Sequence, residues 1–512
     1  MPAASVEPAQ HVLRNAYIYT VDPARSIASA MAIRDGRIVY LGNENGVNRY
    51  VGVHTQVNDL KGRLVLPGFI QSISNNTDYS GLDLSLFQSV EAYQNKIQDY
   101  ILNNPEAQIV VGRGWKMEVF GDDEPHKAML DQINDLVPII MFSADHSYVW
   151  TNSEAIAAAG IDMSTNSSTE NFIKRSDDGI PIGLFQGRGA VSVFSSLIPE
   201  DKVSKEFHNL SELKDVALSM GVTTLHSFHI PFFESENKAE KFKKSNSLEN
   251  RDVRIRAFLT VPMNMPSDRF ISLRNYADKI SSDDFKVIAI SFVIPDSISN
   301  YNYLIQDELG ESVKDTSAWL VDLFHQANLY KFQVHFSLPE GSYESGILRG
   351  QVEKLINAEF QGVRNIVSNI PEFLLVDLLE KNNAAAIVYE GKLPTFNVDK
   401  LTEGTGSYMG GKILFFAGDG KLEGQMNSLN VIRDPISIIH TGAKHKVPVD
   451  LMIRLLTIRG AYAIHLENEV GSLEVGKWAD FIVLDGNLLK IKSAEIDKVR
   501  VLNTYYKGRQ VY

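Results

Sequence analysis

Three side chains stand at the ends of short apolar runs, where a reactive group could face a pocket. Asp419 follows Phe415-Phe416-Ala417 between Gly418 and Gly420. His335 closes Phe332-Gln333-Val334, and Lys286 opens the run to Ile290. A carboxylate and an imidazole in one apolar pocket make a general acid/base pair, and an amine beside them adds positive charge. That set suits elimination, isomerisation, cyclisation or condensation. Unactivated amide cleavage needs in addition a strong nucleophile and an electrophile. Each residue has a plain reading too: Asp419 as a helix N-cap or turn residue, His335 as a core imidazole bonded to backbone, Lys286 as a strand-end lysine reaching solvent. His226 and His229 have a spacing that suits a metal only on a helix, and their stretch reads as strand then loop. His146 follows a strand end, and Arg113 and Trp115 stand where they either line a pocket mouth or pack. No P-loop, Gly-x-Ser-x-Gly elbow or His-Glu-x-x-His string occurs. With no cysteine there is no disulfide, thiolate ligand or thiol nucleophile.

These residues need a scaffold of alternating strands and helices. Ile109–Val111, Pro138–Phe142, Thr223–His226, Ile255–Val261, Lys286–Ile290, Phe332–Phe336 and Ile413–Ala417 read as buried strands. Helical stretches such as Thr316–Asn328 and Val449–Ile464 separate them. Apolar strands alternating with helices predict a parallel sheet or barrel. Both ends read differently. Val12–Val21 reads as a strand, Ala30–Leu41 as a hairpin about Asp35-Gly36, and Asp480–Leu484 and Val499–Tyr512 as further strands. The two termini therefore predict one small β-domain.

At 512 residues the chain exceeds one core. A net charge of −13 argues against nucleic acid and against an anionic membrane surface. The apolar runs fall short of the ~20 residues that span a bilayer. Met1–His11 lacks the pattern of a signal peptide, so cytoplasmic residence is the default expectation.

Several strings, in order along nearly the whole chain, resemble the metal-dependent amidohydrolase superfamily, in its large branch with an inserted α/β segment. They are Gly36-Arg37-Ile38 with Leu41-Gly42, Leu64-Val65-Leu66-Pro67-Gly68-Phe69-Ile70, Val111-Gly112-Arg113-Gly114-Trp115, Trp150-Thr151-Asn152-Ser153, Gly221-Val222-Thr223-Thr224 and Gly471 through Asp480. The resemblance implies a (β/α)8 TIM-type barrel over 67–467, with an α/β insertion at about 76–215, plus a β-sandwich domain from 1–66 and 468–512.

It also implies where the chemistry sits, and how the sequence departs from it. The family's His-x-His pair falls on Ile73 and Asn75, with Gln71 in place of the preceding Asp. Isoleucine cannot ligate, and a neutral amide is a poor substitute for imidazole on Zn or Fe. Gly187 takes the place of a Glu, and Ser368 that of a second-metal His. His335 matches a ligand, although Leu338-Pro339 replace the Gly-Asp expected after it. Lys286 matches the carbamate lysine, with Ile290 as the alternative register, and Asp419 matches the catalytic carboxylate.

The resemblance thus implies a hydrolase of non-peptide carbon–nitrogen bonds in a small molecule, with a reduced or absent metal site. Asp419, His335 and Lys286 are the expected catalytic set. Asn75, His146, Trp115, Arg113, His226 and Ser368 are the expected substrate contacts. No cofactor is expected, a single Zn or Mn ion being the alternative. Two other readings stand beside it: a metal-free lyase, isomerase, cyclase or condensing enzyme using Asp419 and His335, and a non-catalytic binding or partner protein. A homo-oligomer is compatible with all three.

Overall fold

A computed structural model gives the architecture. It describes residues 6–72, 82–84, 87–121, 123–143, 148–167, 172–187, 190, 193–194, 197–198, 210–230, 252–261, 269–293, 316–337, 363–368, 384–387, 413–414, 432 and 434–512. Its centre is an eight-stranded sheet: β1 (Phe69–Ser72), β2 (Val222–Ile230), β3 (Arg254–Thr260), β4 (Phe285–Val293), β5 (Gln333–Ser337), β6 (Asn365–Ser368), β7 (Ala384–Ile387) and β8 (Ile413–Leu414). The strands lie side by side in chain order and every neighbouring pair is parallel. That is the strand order of a TIM-type barrel. The C-terminal segments Leu455–Arg459 and Gly460–Ala463 touch both β1 and β8, which draws the two edges of the curled sheet together.

Helices cover the sheet through apolar stripes. In Arg269–Ile280, the residues Phe270, Leu273, Tyr276, Ala277 and Ile280 are buried, three to four apart, and join the main core. Leu210–Ser219 precedes β2, Thr316–Leu329 precedes β5, and Pro435–Lys444 and Val449–Arg454 follow β8. Val449–Ile464 reads as one helix, but the structure interrupts it with a π turn at Leu455–Arg459. Gly460 there packs against Ile70 of β1, where a side chain would leave only 3.0 Å. Among the described residues no helix is long and apolar enough to cross a membrane.

The two ends of the chain meet in two sheets. One holds Arg37–Gly42, Ala30–Arg34, His11–Arg14 and Gln56–Asp59, in that order. The other runs Arg509–Gln510, Val501–Tyr506, Phe481–Leu484, Leu64–Pro67, Tyr17–Tyr19, Ile27–Ala28. Leu13, Ile33 and Ile38 of the first sheet share a core with Ile18, Val65, Phe481 and Val483 of the second. The hairpin forms as expected, with Asp35 (φ 51°) and Gly36 (φ 75°) both left-handed, as a two-residue turn requires. Val12–Val21 is not one strand. Asn15 takes φ 49° and breaks it, so its halves enter different sheets. A further six-stranded sheet spans Leu82 to Gln186, within the expected insertion.

A buried polar seam joins β2, β3 and β4 to the C-terminal sheet at the N-terminal ends of the strands. Arg254 Nη1 lies 2.6 Å from Asp480 Oδ2, and both side chains are 2% exposed. Asp284 accepts from Tyr506 Oη and Lys507 Nζ, each at 2.6 Å. Thr504 Oγ1 donates to the Leu218 carbonyl at 2.7 Å.

Candidate functional site

His335 is the third residue of β5 and is buried. Its ring meets Phe258 of β3 edge to face, with centroids 5.0 Å apart and planes at 75°. β4 lies between those strands, so their backbones are about 9–10 Å apart. Large side chains that far apart converge on the concave face of a curled sheet and splay on the convex one. The contact therefore puts both rings inside the curl, as alternate strands do in TIM-type interiors. Strand alternation carries Arg254 and Arg256 to the same face as Phe258, whereas Ile255, Ala257 and Leu259 supply the opposite, apolar face.

Along that inner face the chemistry is layered. Near the N-terminal end, Arg254 is held by Asp480 and receives support from Thr224 at 3.2 Å. Burial pulls down the affinity of this guanidinium for its proton, but Asp480 more than reverses that, and the net shift is upward. One step on, Arg256 is register partner to both His226 and Lys286. Arg256 donates to the Ile255 carbonyl at 3.0 Å, and burial pushes its pKa down to about 10, leaving it charged at neutral pH. His226 is fully buried, and burial pushes its pKa down to about 3, so its imidazole is neutral. Further toward the C-terminal ends come Phe258, Ser291 and His335, with Ser291 and Ile366 as register partners of His335.

The structure brings some expected residues together and separates others. His335 and the backbone of Ser368 belong together, since Ser368 pairs with Ser337, two residues beyond His335. His226 lies on the same inner face, in a deeper layer. Lys286, the other register partner of Arg256, stands level with that deeper layer. It is the exposed second residue of β4, five residues before the Ser291 that pairs with His335, or about 16 Å along the strand. Lys286 thus stands apart from His335 along the strand direction. The alternative-register residue, Ile290, is buried beside Val334 and carries no amine.

Trp115 takes the packing alternative in this structure. It is fully buried, its indole N–H donates to the Met141 carbonyl at 2.8 Å, and Phe120 and Trp150 pack on it. None of its surface is open to a ligand. Arg113, beside it in the inserted sheet, faces Asp83 at 3.7 Å. Asp419, Asn75, Ile73 and His146 lie outside the described residues, as do the side chains of Ser368 and His229.

Two inner-face residues escape a sequence reading, Arg256 and Phe258. The signal was available in Arg254-Ile255-Arg256-Ala257-Phe258, where charge alternates with small or branched apolar residues inside a buried strand.

The described donors do not fit the paired-metal site of the resemblance. Gln71, fully buried at the end of β1, is an amide where a carboxylate would be needed. Among the described residues no three His, Asp or Glu converge on a point that could hold a cation.

The sequence model of the amidohydrolase family matches residues 56–230 and 432–512, half of the chain. The chain is 24% identical to Protein LONG AFTER FAR-RED 3 of Arabidopsis thaliana, over 98% of this chain and 91% of that protein. It is 21% identical to an N-substituted formamide deformylase of Arthrobacter pascens, over 96% of each. An uncharacterised metal-dependent hydrolase from Pyrococcus horikoshii has the same fold, with a TM-score of 0.54 at 13% identity, covering 94% of this chain and 99% of that one.

Proposed function

The chain belongs to the amidohydrolase family, and from that membership we propose that it hydrolyses non-peptide carbon–nitrogen bonds in a small molecule. The observation that carries this reading is the buried His335, on the concave face of the TIM-type sheet against Phe258. The likeness to a formamide deformylase along nearly the full chain supports the same bond class.

In this reading Asp419 takes a proton from a water as the water's oxygen attacks the substrate carbonyl carbon. An N–H of His335 donates to the carbonyl oxygen as negative charge develops there. The carbon–nitrogen bond then breaks, and the proton held by Asp419 passes to the leaving nitrogen. The products are a carboxylic acid and an amine. Lys286 takes no part. The metal site is reduced to one Zn or Mn ion at most, because Ile73 offers no donor and Asn75 a weak one.

The same substitutions favour a second reading, a metal-free acid/base enzyme in which Asp419 and His335 catalyse elimination, isomerisation, cyclisation or condensation. In either case the substrate is a small molecule and the setting cytoplasmic. Residues 1–66 and 468–512 act as a β-sandwich domain beside a barrel at 67–467.

Metal content and turnover of the full-length protein separate the readings. The hydrolytic reading expects at most one metal per chain and release of amine from small N-formyl or N-acyl amines. Two metals per chain would overturn the reduced site. Turnover without any acid or amine product would favour the second reading. Ligand binding with no turnover would indicate a non-catalytic protein.

A further inference from the structure

Away from the inner face, Arg25 pairs with Asp450 and two more arginines, Arg454 and Arg459, lie within electrostatic reach of it, where the N-terminal strands meet the helix Val449–Arg454. Asp450, in Val449–Arg454, has both oxygens engaged: Tyr19 donates to Oδ1, and Arg25 Nη1 lies 3.2 Å from Oδ2. Arg454 follows Asp450 by four residues on the same helix, so the two share a face. On a continuing α-helix Arg459 would point about 140° away from Arg454. The π turn at Leu455–Arg459 stacks residues five apart instead and returns Arg459 to that side. Arg459 is accordingly within electrostatic reach of Arg454, Arg25 and Asp450.

The charges do not balance. Three guanidiniums stand against two carboxylates, Asp450 and the neighbouring Asp22, whose oxygens accept from Ser26. Arg459 is only 7% exposed. Among the described residues the side chains of Arg454 and Arg459 make no hydrogen bond or ion pair, and the Nε of each is sealed from solvent with no acceptor. A buried guanidinium in that state is costly unless an anion completes it. A net positive charge, with two guanidinium forks that have no protein acceptor, suits the several oxygens of a tetrahedral phosphate better than a single carboxylate.

We propose that Arg25, Arg454 and Arg459 form a binding site for a phosphate dianion, on the flank of the barrel and separate from the inner-face site. The full-length protein is titrated with inorganic phosphate at fixed ionic strength, with chloride as the control, and followed by thermal shift and calorimetry. A ligand that binds only the folded state raises the melting temperature in a saturable way. The wild type is expected to show that saturable rise with phosphate and not with chloride. Arg459→Leu and Arg454→Gln should each weaken the apparent Kd at least tenfold, and Asp450→Asn should tighten it by removing the competing carboxylate. No saturable response in the wild type, or an unchanged Kd in Arg454→Gln, would overturn the proposal. Arg454 is only half-buried, so that variant decides the matter even where Arg459→Leu does not fold.

Discussion

His335 and Lys286 look alike in the sequence, each a polar group at the edge of an apolar run, yet they differ in place. His335 is buried inside the curl, whereas Lys286 is exposed at the opening of β4. His335→Gln is therefore expected to lower kcat by about 10²–10⁴-fold, the usual worth of a positioned acid or base. Lys286→Ala should leave kcat within twofold, and steady-state kinetics on one substrate checks both. His226 makes a separate prediction. Its folded pKa is depressed to about 3 by burial, while an unfolded His titrates near about 6.5. As pH falls below the unfolded value, the unfolded chain takes up the proton and the folded chain does not. Its contribution to stability is thus full above that value and falls as pH drops toward the folded one, by up to about 1.4 kcal/mol per unit. Urea midpoints between pH 7 and pH 4 should decline less steeply in His226→Gln than in wild type. An identical slope would contradict the assignment of a neutral buried imidazole.

Among the elements, the junction of β3 with the strand Phe481–Leu484 is the most exacting. Asp480 precedes that strand and meets Arg254 in full burial. Removing one partner leaves the other charged and desolvated, which costs about 3–5 kcal/mol. Asp480→Ala should lower the urea midpoint sharply. The double variant Arg254→Met, Asp480→Leu should recover much of the loss, because replacing both charges with apolar side chains is often neutral. Strand existence was legible in the sequence, since β2 to β5 all coincide with apolar runs flanked by turn residues. What the runs do not encode is which end of a strand reaches the site. The run locates Lys286 on a strand, but only inter-strand register, through its pairing with Arg256, shows that it lies near the N-terminal end of β4. Trp115 shows the same limit: a string can locate a strand without telling whether its aromatic faces a core or a pocket. The π turn was illegible too, since nothing in Leu455–Arg459 marks an extra residue, and Gly460 beside it meets Ile70, far away in the chain.

For the whole molecule, the two ends of the chain are one structural unit with the sheet they flank. Phe481–Leu484 pairs on one side with Val501–Tyr506 and on the other with Leu64–Pro67, the strand that leads into β1. Ile482 and Leu484 also belong to the main core. Truncation before Gly471 should therefore yield aggregated or unfolded protein rather than a free barrel, as judged by size-exclusion chromatography and circular dichroism. The chain-long order of motifs made this architecture readable. The chemistry was less readable, since Ile73 and Asn75 break the ligand pattern while His335 and Asp419 keep it. The central claim is that this barrel hydrolyses carbon–nitrogen bonds through Asp419 and His335. Its most direct test is amine release from a panel of small N-formyl and N-acyl amines by the purified full-length chain and by its Asp419→Asn variant. The account predicts release by the wild type and a loss of at least 100-fold in the variant. Release that survives undiminished in Asp419→Asn, or no release from any panel member by the wild type, would contradict it.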